Sequence, residues 1–189
     1  MPVKSMTAFS VELEEKGTRV EETGPVPARK ALEDLGVKGM ERVVAARVNG
    51  ELRDLESEIR EAASVAPVRV DSEEGVDILR HSTSHVMAEA VKQLFPGVKV
   101  TIGPSIEHGF YYDFAYERPF TPEDLEAIEG RMEELAKADM TVSREVMDRD
   151  DAVEYFRGLG EEYKAEIIAS IPAGEQISIY GQGDWKDLC

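Results

Sequence analysis

The chain has a single cysteine, Cys189 at its last position, so no internal disulfide can form and a reducing compartment is expected. Long apolar runs are missing too. Nothing approaches the ~20 consecutive apolar residues of a membrane helix. The segment Met1-Pro2-Val3-Lys4-Ser5-Met6 has no hydrophobic stretch that could serve as an export signal, so a cytoplasmic location is expected. Basic residues are scarce: 22 Lys and Arg face 39 Asp and Glu, for a formal charge of −17. Such a surface repels a polyanion at long range, which excludes non-specific phosphate binding and leaves only local RNA contacts. Lys92, Lys99, Lys164 and Lys186 are the candidate local cations. The 189 residues, 42% hydrophobic and 32% charged, suit an ordinary globular chain with one ample domain or two small ones.

Two units fit better, because the composition changes near residue 66. The first, residues 1–66, reads as β-rich. Thr7 to Leu13 alternates like a half-buried strand, Lys16-Gly17 turns, and Arg19-Val20-Glu21 returns. Ala28, Ala31, Leu32 and Leu35 form one helical face that stops at Gly36. Val43 to Val48 is strand-like, and Asn49-Gly50 suits a tight hairpin because both positions tolerate positive φ. Strand pair, helix, strand pair is the order of a ubiquitin-like β-grasp, with Pro67 to Val70 available as a closing strand. Residues 67–76 are read as the linker.

The second unit, residues 77–189, has an α+β pattern. It opens on a long helix from about Gly75 to Phe95, whose Val76, Leu79, Thr83, Val86, Ala90 and Leu94 repeat at helical spacing and are expected to face the core. Val98 to Ile102 and Gly109 to Phe114 read as a hairpin. Thr121-Pro122-Glu123-Asp124 starts a helix with a hydroxyl cap, a proline at the first position and acids in the first turn. Its expected buried face is Leu125, Ile128, Met132 and Leu135. A strand at 141–146, helices at 150–157 and 163–171, and a strand at 176–180 follow.

Three histidines occur in the chain, and His81 and His85 stand four residues apart on the long helix, so their rings share a face. At ~100° per residue they point roughly 160–200° from the expected apolar stripe, beside Ala88 and Lys92. The pair reads either as exposed imidazoles or as a site, for metal or for general-base work near neutral pH. Small Ala88 would leave room for a ligand. Cys189, close to Trp185 and Asp187, is either an apolar filler or a third member of that site. His108 is expected in an exposed loop, and Phe110, Tyr111 and Tyr112 are assigned mainly to packing.

Arg80-His81-Ser82-Thr83-Ser84-His85, Ile102-Gly103-Pro104 with Gly109-Phe110-Tyr111-Tyr112-Asp113, Tyr163-Lys164, and Asp187-Leu188-Cys189 together resemble the editing domain of the bacterial threonyl-tRNA synthetase family. Arg47-Val48-Asn49-Gly50-Glu51-Leu52 resembles the TGS domain that precedes it. The resemblance covers essentially the whole chain and implies a TGS β-grasp followed by an α+β editing domain, as an amino-terminal piece of the longer enzyme. The family's editing pocket carries H-x-x-x-H and a downstream C-x-x-x-H; His81, His85 and Cys189 match its first three positions, and the fourth would fall after the last residue.

The resemblance implies hydrolysis of the ester that joins serine to the terminal ribose of threonine tRNA. Serine and threonine differ by one methyl, which a binding pocket discriminates by only ~1–3 kcal/mol, so a second, hydrolytic sieve is needed. His81 is expected to activate or orient the water, and His85 to shape the amino-acid pocket. Lys164 is expected to meet the adenosine or the developing charge, Asp187 to bind the serine ammonium or orient a histidine, and Cys189 to line the pocket, with Ala88 and Lys92 beside the substrate. No metal is expected at His81, His85 and Cys189. ATP, magnesium and zinc would belong to the ligase portion of the parent, an expected homodimer, whose catalytic and anticodon-binding domains are not among these residues. The competing reading is an inactive module that docks on RNA or on a synthetase.

Overall fold

A computed structural model describes residues 8–101, 103–172 and 174–188. Two compact units divide the chain, Met1–Leu79 and Arg80–Cys189.

The first unit contains β1 (Phe9–Leu13), β2 (Arg19–Glu22), β3 (Val26–Pro27), α1 (Ala28–Asp34), β4 (Val43–Val48), β5 (Glu51–Arg53), β6 (Glu58–Ile59) and β7 (Ala63–Arg69). Its main sheet runs β2-β1-β7-β4-β5, with β1 parallel to β7 and the other neighbours antiparallel. Alternation puts Val11, Leu13, Val48 and Val65 on one buried face, against Ala28, Ala31 and Leu32 of α1. Asn49 and Gly50, at φ 52° and 82°, make the β4–β5 hairpin, as their chemistry requires. The expected boundary after residue 66 falls inside β7, so 67–76 comprises the end of that strand, a turn and the start of the next helix. Val65 and Val68 are buried on β7, and their burial ties this stretch to the first unit's sheet. Thr7, at the start of the expected first strand, lies outside the described residues.

The remaining elements are α2 (Glu73–Leu94), β8 (Lys99–Val100), β9 (Ser105–Ile106), β10 (Gly109–Phe110), β11 (Phe114–Ala115), α3 (Pro122–Lys137), β12 (Val142–Met147), α4 (Arg149–Gly158), α5 (Glu162–Ser170), β13 (Ile177–Gln182) and β14 (Trp185–Leu188). The expected hairpin after α2 is broken into two short ladders, β8 with β11 and β9 with β10. Antiparallel β12-β13-β14 forms the larger sheet of this unit. Ala152 and Phe156 of α4 and Ala165 and Ile168 of α5 pack with Ile177 and Ile179 of β13.

Two expected faces need correction. On α3, Ile128 and Leu135 are buried but Leu125 is 58% exposed. On α2, Leu79 and Leu94 are 48% and 37% exposed, and the expected stripe is covered only around Val86 and Ala90, by α3. Ser84, Ala88 and Val91 are buried instead. At ~100° per residue Ser84 and Ala88 lie on the histidine side of the helix, whereas Val91 falls midway between the two faces and packs with Ala90, Val98 and Ile128. Helix α2 is therefore enclosed on two faces over Ala88–Val91, and its histidine face points inward. Periodicity found one apolar stripe because the second face is lined by polar and small residues.

Candidate active site

Helix α2 stacks His81 over His85, with ring centroids 4.6 Å apart and planes at 87°. Their Nε2 atoms are 3.0 Å apart. Two bare lone pairs would repel at that distance, so one hydrogen lies between the two nitrogens. The other nitrogen of His85, Nδ1, is 2.7 Å from Oδ2 of Asp187 and donates to it.

Asp187 sits on β14 opposite Tyr180 of β13, and strand alternation turns its side chain into the unit. Only 2% of it is exposed. The carboxylate has four partners: His85 Nδ1 and the Tyr112 hydroxyl, 3.1 Å away, meet Oδ2, while the Leu188 amide, at 2.9 Å, and the Lys164 ammonium, at 2.5 Å, meet Oδ1. Burial alone would push its pKa up. The His85 hydrogen bond and the positive charge of Lys164 outweigh burial and hold it down at about 2, so Asp187 is an anion at neutral pH.

Lys164 comes from α5, on the same face as Ala165 and Ile168, and is 1% exposed. A buried ammonium is tolerable only when paired. Besides Asp187, its Nζ is 4.9 Å from the centre of the Trp185 ring and 5.6 Å from that of Phe156, within cation–π range. Tyr112 stacks on Phe114, their centroids 5.1 Å apart. Its phenol is raised well above its usual value, first by burial and then by the Asp187 charge, so it remains a donor.

Gly103 lies under that ring: an added Cβ would come within 2.0 Å of Tyr112 Cδ2. The buried Ser84 hydroxyl spans the 2.7 Å to the His81 carbonyl and the 3.1 Å to the Gly103 carbonyl, joining α2 to this loop.

Of the residues expected from sequence, His81, His85, Lys164 and Asp187 thus converge, and Ala88 is fully buried one turn after Ser84. Lys92 is placed elsewhere; its ammonium donates to the Val98 carbonyl at 3.0 Å and pairs with Glu161. Cys189 lies outside the described residues, as does Ile102 of the quoted motif. His108 is exposed. Tyr112, assigned above to packing, is also a hydrogen-bond donor at the centre of the cluster. Ser84 and Glu161 were not anticipated, although a serine inside the histidine pair and a glutamate three residues before Lys164 were visible signals.

No family model matches the chain. Its similarity to characterised sequences is nonetheless high. It is 60% identical over 148 residues to the threonine–tRNA ligase of Parvibaculum lavamentivorans, covering 78% of this chain and 23% of that protein. Against the threonine–tRNA ligase of Saccharophagus degradans it is 53% identical over 173 residues, 92% of this chain and 27% of the relative. Against that of Magnetococcus marinus it is 58% identical over 153 residues, 80% and 24% respectively. The α+β fold and the site thus belong to an aminoacyl-tRNA synthetase sequence. Within that class the chain is a member of the threonine–tRNA ligase family, spanning about a quarter of the length of the relatives it matches.

Proposed function

We propose that this chain is the amino-terminal TGS and editing region of a threonine–tRNA ligase, and that the second unit hydrolyses the ester of mischarged seryl-tRNA(Thr). The parent enzyme would join threonine to that tRNA at the expense of ATP, using domains outside these residues. The β2-β1-β7-β4-β5 sheet with α1 packed on it supports the TGS assignment. The observation that carries the hydrolytic reading is the chain Asp187–His85–His81, in which a buried anion orients one imidazole and that imidazole meets a second.

Asp187 holds the Nδ1 hydrogen of His85 and stabilises positive charge on it. Its burial beneath four donors favours this orienting role over direct capture of the serine ammonium. His81, at the far end of the chain, is the group that takes a proton from water. Oxygen of that water attacks the ester carbonyl carbon, the bond to the ribose oxygen breaks, and the ribose oxygen receives a proton. Serine and intact tRNA result. Lys164 acts through Asp187, because its ammonium is spent on that carboxylate. Cys189 remains proposed to line the pocket. No tightly bound zinc is proposed at His81 and His85, and metal analysis of the purified chain tests that; stoichiometric zinc would overturn it.

Deacylation of seryl-tRNA(Thr) is the decisive assay. His81→Ala should lower the rate by about 10²-fold or more, the usual contribution of a positioned acid–base group, while threonyl-tRNA(Thr) stays intact. Equal rates for the wild type and this variant would refute the site.

A further inference from the structure

We infer that Glu161 and Lys92 are positioning residues that hold Lys164 against Asp187, a role that rests on the editing reading for its catalytic meaning. Lys92 is seven residues beyond His85 on α2 and, at ~100° per residue, shares the histidine face. Its Nζ donates to the Val98 carbonyl at 3.0 Å and pairs with Oε1 of Glu161. Glu161 is the N-cap residue of α5, three positions before Lys164. Its amide donates to the Phe156 carbonyl at 2.9 Å, and its own carbonyl accepts from Ala165 at 3.1 Å, so the backbone here fixes the start of α5.

The two helices therefore meet twice. Lys92 holds Glu161 at the mouth of α5, and the same two helices contribute, through His85 two turns before Lys92 and Lys164 about one turn after Glu161, to one carboxylate. The Glu161 side chain is 6% exposed, and its Oε2 has no hydrogen-bond partner among the described residues. Such a pair is a poor source of stability, since desolvating two charges offsets most of their attraction; what it supplies is register. Register matters here, because a small displacement of α5 would withdraw the Lys164 ammonium from Asp187 and change the charge seen by His85. Glu161 is close enough for its charge to contribute, after burial and Asp187, to the raised pKa of Tyr112.

The test is the titration of His85, followed by NMR in the histidine-labelled chain. Among the described residues, Asp187 and His81 meet that ring directly, and Lys164 and Tyr112 reach it through Asp187. Removing the negative charge of Glu161 by Glu161→Gln would by itself lower the His85 pKa. Withdrawal of Lys164 from Asp187 acts the other way, because His85 then feels an uncompensated anion. The expected result is a rise of about half a unit or more. Glu161→Asp keeps the charge but shortens the side chain, and should give a smaller rise; it carries the test if Glu161→Gln does not fold. A fall, or no change in either variant, overturns the proposal.

In parallel, Glu161→Gln should lower kcat for seryl-tRNA(Thr) by about tenfold with KM nearly unchanged, the signature of misplaced groups and not of lost binding. Unchanged kcat overturns the catalytic role. If the wild-type chain does not deacylate seryl-tRNA at all, the editing reading fails, while the His85 titration still decides whether Glu161 positions Lys164.

Discussion

At the scale of single residues, Asp187 concentrates the energetics of the site, because four donors converge on a carboxylate that solvent hardly reaches. Asp187→Asn would leave the Lys164 ammonium buried without a counter-charge, an error that costs about 3–5 kcal/mol. Urea unfolding, followed through the single tryptophan Trp185, measures it. The pH dependence has a definite sign. The folded pKa, at about 2, lies below the ordinary carboxylate value of ~3.9, so the unfolded chain binds the proton more readily. This contribution, on the order of 2 kcal/mol, is complete above about pH 5 and disappears as pH falls through 4 toward 2. The stability gap between wild type and Asp187→Asn should narrow over that window. Gly103→Ala makes a different demand: its Cβ would enter the Tyr112 ring, so the ring must move and its bond to Asp187 breaks. A loss of about 1–3 kcal/mol is expected by the same unfolding measurement.

Among the elements, α3 shows how local chemistry sets a boundary. The Thr121 hydroxyl accepts from the Asp124 amide while the Asp124 carboxylate accepts from the Thr121 amide, a complete capping box with Pro122 at the first position. Arg118 pairs with the same carboxylate and helps hold the Asp124 pKa down at about 2. Thr121→Ala should cost about 1 kcal/mol in thermal or urea unfolding and leave the histidine cluster unchanged. Helix α2 teaches the opposite lesson. Its length was readable, yet its buried side was not, because Ser84, Ala88 and the two histidines look like a solvated face until Asp187 of β14, paired with Lys164 of α5, meets it.

For the whole molecule the dominant quantity is charge. A formal −17 on 189 residues makes the compact state repel itself, so salt should stabilise it. Raising NaCl from about 20 to about 200 mM shortens the Debye length from roughly 20 Å to 7 Å and should raise Tm by a few degrees. A fall in Tm would show that specific ion pairs, such as those at Asp187 and Glu161, outweigh the general repulsion. No described helix is long and apolar enough to cross a membrane.

Much of the molecule follows from local pattern. The Asn49-Gly50 hairpin, the α3 cap, the succession of the helices, and the i, i+4 placement of His81 and His85 are short-range facts, set by dihedral preferences and helical spacing, whereas the strand β14 that carries Asp187 was not read from the sequence. Family resemblance added which distant motifs belong together. Only the tertiary structure decided that Lys164 neutralises Asp187 instead of facing solvent, that Tyr112 donates to the same carboxylate, and that Lys92 is committed to Glu161. Each of those partnerships spans tens of residues and is selected by the cost of burying an unpaired charge, a cost that exists only once the packed interior has formed around it.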